Sequence, residues 1–113
     1  MPRLIQSGII AGLIFQVGSI IIWPWVIVSD RYNKKKVNHA YIHVMQIRRS
    51  QAKYGKIKGV IFWYASYLNE WRKAGFKYEL NKYEIEAFGN ENNPDYISSK
   101  DPELWEEIKH LIS

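Results

Sequence analysis

Between Arg3 and Asp30 run 26 residues without a single formal charge, LIQSGIIAGLIFQVGSIIIWPWVIVS, and no other feature of the chain restricts its folding as much. A helix of that length covers ~39 Å at ~1.5 Å per residue, more than the ~30 Å hydrocarbon core of a bilayer. In lipid the backbone must satisfy its own hydrogen bonds, and for one isolated segment a helix does so. The stretch therefore predicts a single transmembrane helix from about Leu4 to Ser29. Trp23 and Trp25 fall near its C-terminal end, at the level where indoles meet lipid head groups. Pro24 removes a backbone donor there and kinks or ends the helix. A secretory signal has a shorter apolar region and a small-residue cleavage site. A buried core helix would find little chain left to surround it.

Within the predicted span, Gly8 and Gly12 stand four apart, and Ala11, Gly18 and Ser19 extend the same narrow surface. Small residues at that spacing let a second helix approach closely. Gln6 and Gln16 are polar and favour a protein-facing side. Gly8, Gly12, Gln16 and Ser19 are accordingly the candidate helix-packing residues.

After the span the charge is laid out in blocks. Arg31 to Lys77 holds twelve Lys and Arg against one acid, Glu70, whereas Tyr78 to Ser113 holds nine acids and three Lys. Such a basic block suits anionic head groups or an acidic partner surface, with Trp23, Trp25, Arg31, Lys34, Lys35 and Lys36 at the interface. Nucleic acid fits poorly beside a membrane span. Residues 35–54 repeat Val37, Tyr41, Val44 and Met45 at helical spacing up to Gly55, and residues 57–74 repeat Val60, Ile61, Tyr64, Leu68 and Trp71 up to Gly75. Phe62 to Tyr64 adds an aromatic run too short to span a membrane again. Phe76, Tyr78 and Leu80 alternate as in a strand or extended linker, residues 81–88 suit a short helix, and GNENNPDYISSK over 89–100 reads as a loop. Asp101, Pro102 and Glu103 open a last helix with an apolar stripe of Trp105, Ile108, Leu111 and Ile112. The expected fold is mainly α: one N-terminal transmembrane helix, then two or three amphipathic helices with extended linkers and little independent core. Its parts are an anchor (1–30), a basic helical segment (31–77) and an acidic segment (78–113).

The chain carries no cysteine, which excludes disulfides and thiolate chemistry. His39 and His43 are spaced i, i+4 and share a helix face, yet no HExxH glutamate lies between them and no acid lies nearby in sequence. Two imidazoles among lysines read as partner or head-group contacts, so no metal ligand is assigned. No nucleophile elbow, phosphate loop or dinucleotide fingerprint is present, and no catalytic residue, cofactor or small-molecule substrate is expected. The candidate partner contacts are His39, His43, Arg49, Phe62, Trp63, Trp71 and Trp105.

Residues 8–49 resemble the MWFE subunit family, small accessory proteins of mitochondrial respiratory complex I. Gly18 precedes Pro24 by six residues, and Lys35, Lys36, Val37, His39, His43 and Arg49 follow the family's basic and histidine pattern. The opening Met1-Pro2-Arg3-Leu4 departs from the family's namesake tetrapeptide, and residues 56–113 lie outside the resemblance. The resemblance implies a non-catalytic structural and assembly subunit of NADH:ubiquinone oxidoreductase in the mitochondrial inner membrane, among other subunits and phospholipids such as cardiolipin. It implies a C-terminal part in the intermembrane space, whereas the basic residues after the span point to the matrix. The alternatives are an accessory subunit of cytochrome oxidase or ATP synthase, and a membrane-tethered protein binding anionic lipid.

Overall fold

A computed structural model describes residues 3–6, 19–23, 25–28, 33–77, 80–93 and 95–112. Its organising element is helix α1, Lys34–Tyr54. Asn33 opens the helix by accepting a hydrogen bond from the Lys36 backbone N–H at 3.2 Å. Gly55 closes it at φ 102°, a left-handed value that favours glycine. From Val37 to Ile47 every residue of α1 is buried. A helix buried on all sides belongs at the centre of a domain, and α1 is touched by strands and by every other helix described.

Helix α2, Lys56–Lys73, folds back on α1 as a hairpin across Gly55. The two approach closely because Gly59 has no side chain: a Cβ there would fall 2.3 Å from the Gln51 Cα. Ser50 Oγ donates to the Gly59 carbonyl at 2.7 Å across the same contact. At its far end α2 stops in a tight turn, where the Phe76 N–H reaches the Trp71 carbonyl at 3.0 Å. Gly75 and Phe76 both have positive φ there, 68° and 63°. Helix α3, Lys82–Asn90, is capped by Asn81, whose side chain accepts from the Tyr83 N–H at 2.9 Å. Helix α4 is Asp95–Lys100 and α5 is Pro102–Ile112.

The mainly helical expectation holds, with five helices among the described residues. The predicted apolar helix over Leu4–Ser29 does not. Strands β1 (Arg3–Gln6), β2 (Ser19–Ile22) and β3 (Trp25–Val28) occupy parts of it, ordered β1-β3-β2. β1 pairs parallel to β3 and β2 pairs antiparallel to it, so Gln6 and Ser19 both stand opposite Val28. β-branched residues fill these strands, Ile20, Ile21 and Ile22 in one and Val26, Ile27 and Val28 in the other. Stiff branched side chains favour the extended backbone and the flat packing of a sheet. No helix among the described residues is long and apolar enough to cross a membrane. Gly8, Gly12, Gln16 and Arg31 lie outside the described residues.

The expectation of little independent core is also corrected. Val26, Val28, Val37, Tyr41, Ile42, Val44, Ile47, Trp63, Ala87, Ile97, Leu104 and Ile108 belong to one buried cluster drawn from sheet and helices alike. The radius of gyration, 13.2 Å, equals the ~13 Å of a single folded domain of this length. Part of the 89–100 segment, read as loop, is helix α4, because Ile97 anchors it in the core and the Asn93 side chain accepts from the Asp95 N–H at 3.0 Å. The N-cap reading of Asp101 is correct: its Oδ1 accepts from the Leu104 N–H at 3.2 Å.

Folding brings the basic and acidic blocks onto each other. Arg48 grips Asp101 with Nε at 2.7 Å and Nη2 at 3.2 Å and reaches Glu103 at 3.2 Å. Arg49 meets Glu86 at 3.1 Å, and Lys35 meets Glu91 at 3.3 Å. The charge alternation along the sequence is thus partly answered inside the chain.

Candidate functional site

The most concentrated polar chemistry lies on the buried face of α1, against α3. Spacing i, i+4 puts His39 and His43 one turn apart, their rings 5.1 Å between centroids and edge to face. Both are 5 % exposed, and Glu84 of α3, 3 % exposed, stands between them. Its Oε1 lies 2.9 Å from His39 Nε2 and 2.8 Å from His43 Nε2. Its Oε2 accepts from the Tyr67 hydroxyl of α2 at 2.5 Å.

The outer ring nitrogens are held as well. His39 Nδ1 lies 2.7 Å from Glu91 Oε2, and His43 Nδ1 lies 2.9 Å from Gln46 Oε1. Gln46 is itself oriented, its amide nitrogen donating to the Tyr83 carbonyl at 3.0 Å and to Glu86 Oε1 at 2.9 Å. Asn38, also on α1, points its amide nitrogen at the carbonyls of Asn90, Glu91 and Asn93 at 2.9–3.3 Å, which fixes the chain that carries Glu91. Trp63 packs edgewise on His43 with centroids 5.8 Å apart, and Phe88 on His39 at 4.6 Å.

Electrostatics follow this geometry. Burial disfavours charge on Glu84, yet hydrogen bonds from His39, His43 and Tyr67, with the charge on His43, hold its carboxyl far below the usual range. Burial likewise opposes charge on His39, and the carboxylates of Glu84 and Glu91 outweigh it and raise its basicity above the ordinary histidine value. Glu86 is held low against its burial by Tyr96, Arg49 and Gln46. Burial alone pushes the Tyr41 phenol up to about 12.

The residues singled out from sequence divide between interior and surface. His39 and His43 are turned inward and make their contacts within the chain, and Trp63 is buried beside them. Arg49 faces Glu86. Trp105 is half-buried at the edge of the core, as is Trp23, whose backbone N–H donates to the Tyr64 hydroxyl at 3.0 Å. Trp25, Phe62 and Trp71 are exposed, as are Lys34 and Lys35, while Lys36 is half-buried. Glu84, Glu91, Gln46 and Tyr67 were not among those residues. One sequence signal pointed to them: Asn38, His39, His43 and Gln46 interrupt the face of a helix that otherwise reads apolar, and buried polar side chains need partners.

The surface holds a second feature. On α2, Ile57, Ile61 and Leu68 recur at helical spacing along one outward line and are 77 %, 63 % and 59 % exposed. A groove of about 500 Å3 beside them is lined by Trp23, Gln51, Lys56, Ile57, Val60 and Ile61. Lys56, Lys58 and Arg72 give this face a cationic border. Compared with protein-family models, curated proteins and solved structures, the chain matches none of them.

Proposed function

We propose that this chain is a non-catalytic structural subunit of a membrane-associated complex, docking through the outer face of α2. The observation that supports the reading most is the Ile57, Ile61 and Leu68 line, exposed on a helix whose opposite face is already seated by Gly59 and Trp63. Burying aliphatic side chains of this size against a partner contributes ~1.5–3 kcal/mol each before the costs of association. The cationic border selects a partner surface with an apolar centre and acidic edges. A membrane location for that partner rests on the sequence alone, on the uncharged Leu4–Ser29 run, since Ile21, Val26, Ile27 and Val28 of that run are buried in this chain's own core. The specific form of the proposal, an accessory subunit of respiratory complex I in the mitochondrial inner membrane, rests on the likeness of residues 8–49 to the MWFE family. His39 and His43, which carry much of that likeness, contact Glu84 and Glu91, and both acids lie outside it.

The test is native electrophoresis of membranes solubilised in mild detergent. The full chain co-migrates with a large assembly, and Ile57→Glu with Ile61→Glu releases it while leaving its folding stability within ~0.5 kcal/mol, as for exposed substitutions generally. Co-migration with NADH dehydrogenase activity supports complex I, and co-migration with cytochrome oxidase or ATP synthase supports the alternative assemblies. A chain that runs free in every extract refutes the docking reading. Salt-sensitive binding to anionic vesicles without any protein partner would favour the lipid-binding alternative.

A further inference from the structure

We propose that His39, His43 and Glu84 form a binding site for one divalent transition-metal ion of the zinc class. This site stands apart from the docking face and does not depend on it.

The first argument is convergence. Both Nε2 atoms aim at one carboxylate oxygen, 2.9 and 2.8 Å away, and the three donor atoms lie within 4.8 Å of one another. All three residues are buried.

The second argument is where the hydrogens must sit. Gln46 spends its amide N–H groups on the Tyr83 carbonyl and Glu86, so its carbonyl oxygen is what faces His43 Nδ1. That nitrogen therefore carries a hydrogen. His39 Nδ1 faces the Glu91 carboxylate and carries one too. In neutral imidazoles both Nε2 atoms then present lone pairs, and they present them to a carboxylate oxygen that is also an acceptor. Three acceptors aimed at one region repel unless positive charge lies among them. Two protons supply that charge, and so does a single divalent ion, with the same net charge in the pocket. Lys35, at 3.3 Å, answers the charge of Glu91.

The third argument is support from behind. Every candidate ligand is anchored through its other polar atom: His39 by Glu91, His43 by Gln46, and Glu84 by Tyr67 at 2.5 Å. Ligating histidines characteristically donate their second ring N–H in this way, which fixes tautomer and ring orientation. Trp63 and Phe88 wall the pair with aromatic surface and limit the access of water.

The donor set selects the ion. Two imidazoles with one carboxylate suit zinc and its transition-metal neighbours, whereas calcium and magnesium prefer all-oxygen shells. Bonds of ~2.0–2.1 Å in tetrahedral array place donors ~3.3 Å apart. The N to O separations here need to open by about half an ångström and the two Nε2 atoms, which lie within 4.8 Å of each other, to settle at the same value, changes made by side-chain rotation. Three protein donors leave a fourth coordination position for water or another ligand.

The experiment uses the purified full-length chain, stripped with chelator and titrated with Co2+ and then Zn2+. We expect saturable uptake of one ion per chain, visible ligand-field absorption from Co2+ that Zn2+ displaces, and a higher Tm with metal. His43→Gln and Glu84→Gln abolish the signal, while His110→Gln, at an exposed position of α5, leaves it intact. Tyr67→Phe keeps all three ligands and weakens affinity about 10–100-fold. Absence of saturable uptake by the folded wild-type chain overturns the site. Uptake that survives His43→Gln and Glu84→Gln, or that needs His110, does so equally. Should those two ligand variants fail to fold by circular dichroism, Tyr67→Phe decides the matter, and an unchanged affinity overturns the proposal.

Discussion

Replacing Gly59 by alanine separates what helix propensity says from what this packing requires. In an isolated helix the change stabilises by about 1 kcal/mol, because glycine has the larger backbone entropy to lose. Here the new Cβ would lie 2.3 Å from the Gln51 Cα, 2.5 Å from the Gln51 N and 2.8 Å from the Ser50 carbonyl carbon. All three are backbone atoms of α1, so no side-chain rotation relieves the overlap. Ordinary contact begins at 3.4 Å, and α2 must therefore move off α1 by about an ångström. A gap of that size forfeits a quarter to a half of each dispersion contact along the crossing. It also lengthens the 2.7 Å Ser50 to Gly59 bond beyond hydrogen-bonding range, a loss of about 1 kcal/mol. Trp63, one turn further on the same face, loosens from its place against His43. Overpacking of this kind costs ~1–3 kcal/mol before the bond is counted. After the propensity gain, Gly59→Ala is expected to destabilise by about 1–3 kcal/mol, a Tm lower by roughly 5–20 °C for a domain this small. Gly89 is the internal control. It lies within α3 with nothing within 4 Å of an added Cβ, so Gly89→Ala is expected to stabilise by ~0.5–1 kcal/mol. Urea denaturation followed by circular dichroism measures both variants on one scale. A Gly59→Ala chain as stable as wild type would refute the close α1–α2 crossing and the argument built on it.

Two further outcomes follow from the charged contacts. In the metal-free chain His39 is raised above 6.5, so its contribution to stability is complete below pH 6.5 and is lost as pH rises through the folded value. Glu84 and Glu86 are held below 4.5, so theirs is present above pH 4.5 and lost as pH falls through their folded values. Urea midpoints measured across pH should peak between those limits, and His39→Gln should flatten the alkaline side; an unchanged alkaline slope would contradict the assignment. Asp101→Ala removes an N-cap and strands Arg48 together. It should cost ~1–2 kcal/mol by thermal unfolding, and a loss below ~0.5 kcal/mol would show that Arg48 and α5 do not depend on it.

Much of the helical layout was legible because it rests on local signals. Gly55, Gly75 and Asp101 mark boundaries by capping and left-handed backbone chemistry that acts within a turn, and the helical spacing over 35–54 and 57–74 yields α1 and α2, although α1 is buried all round from Val37 to Ile47 and Ile61 and Leu68 of the α2 stripe face outward. The readings that failed depend on what lies across the molecule. Ile20, Ile21, Ile22 and Val26, Ile27, Val28 are apolar enough for lipid and branched enough for strands, and hydropathy alone does not separate those outcomes. Glu84 is 41 residues from His43, so the acid missing from the local sequence arrives only with α3. Gly59 looks like any helical glycine until Gln51 is placed beside it.

The buried cluster and the apolar core divide the work of the fold. Withdrawing several ionisable groups from water is costly, and well-packed apolar side chains of similar volume often stabilise as much or more. The affinity of α1 for its neighbours therefore comes mainly from Val37, Tyr41, Ile42, Val44 and Ile47, which are fully buried or nearly so. Apolar contacts are non-directional, and sliding α3 by one turn along α1, ~5.4 Å, would exchange one set for another at modest loss. The polar set has no such freedom. Glu84 Oε1 meets both Nε2 atoms at 2.8–2.9 Å, while Glu91 meets His39 and Glu86 meets Gln46. A one-turn slip breaks every one of these bonds and leaves each group buried and unpaired. The cluster thereby fixes the register of the acidic segment on the basic helix. That register also gives the convergent, pre-anchored donor geometry a metal ion requires.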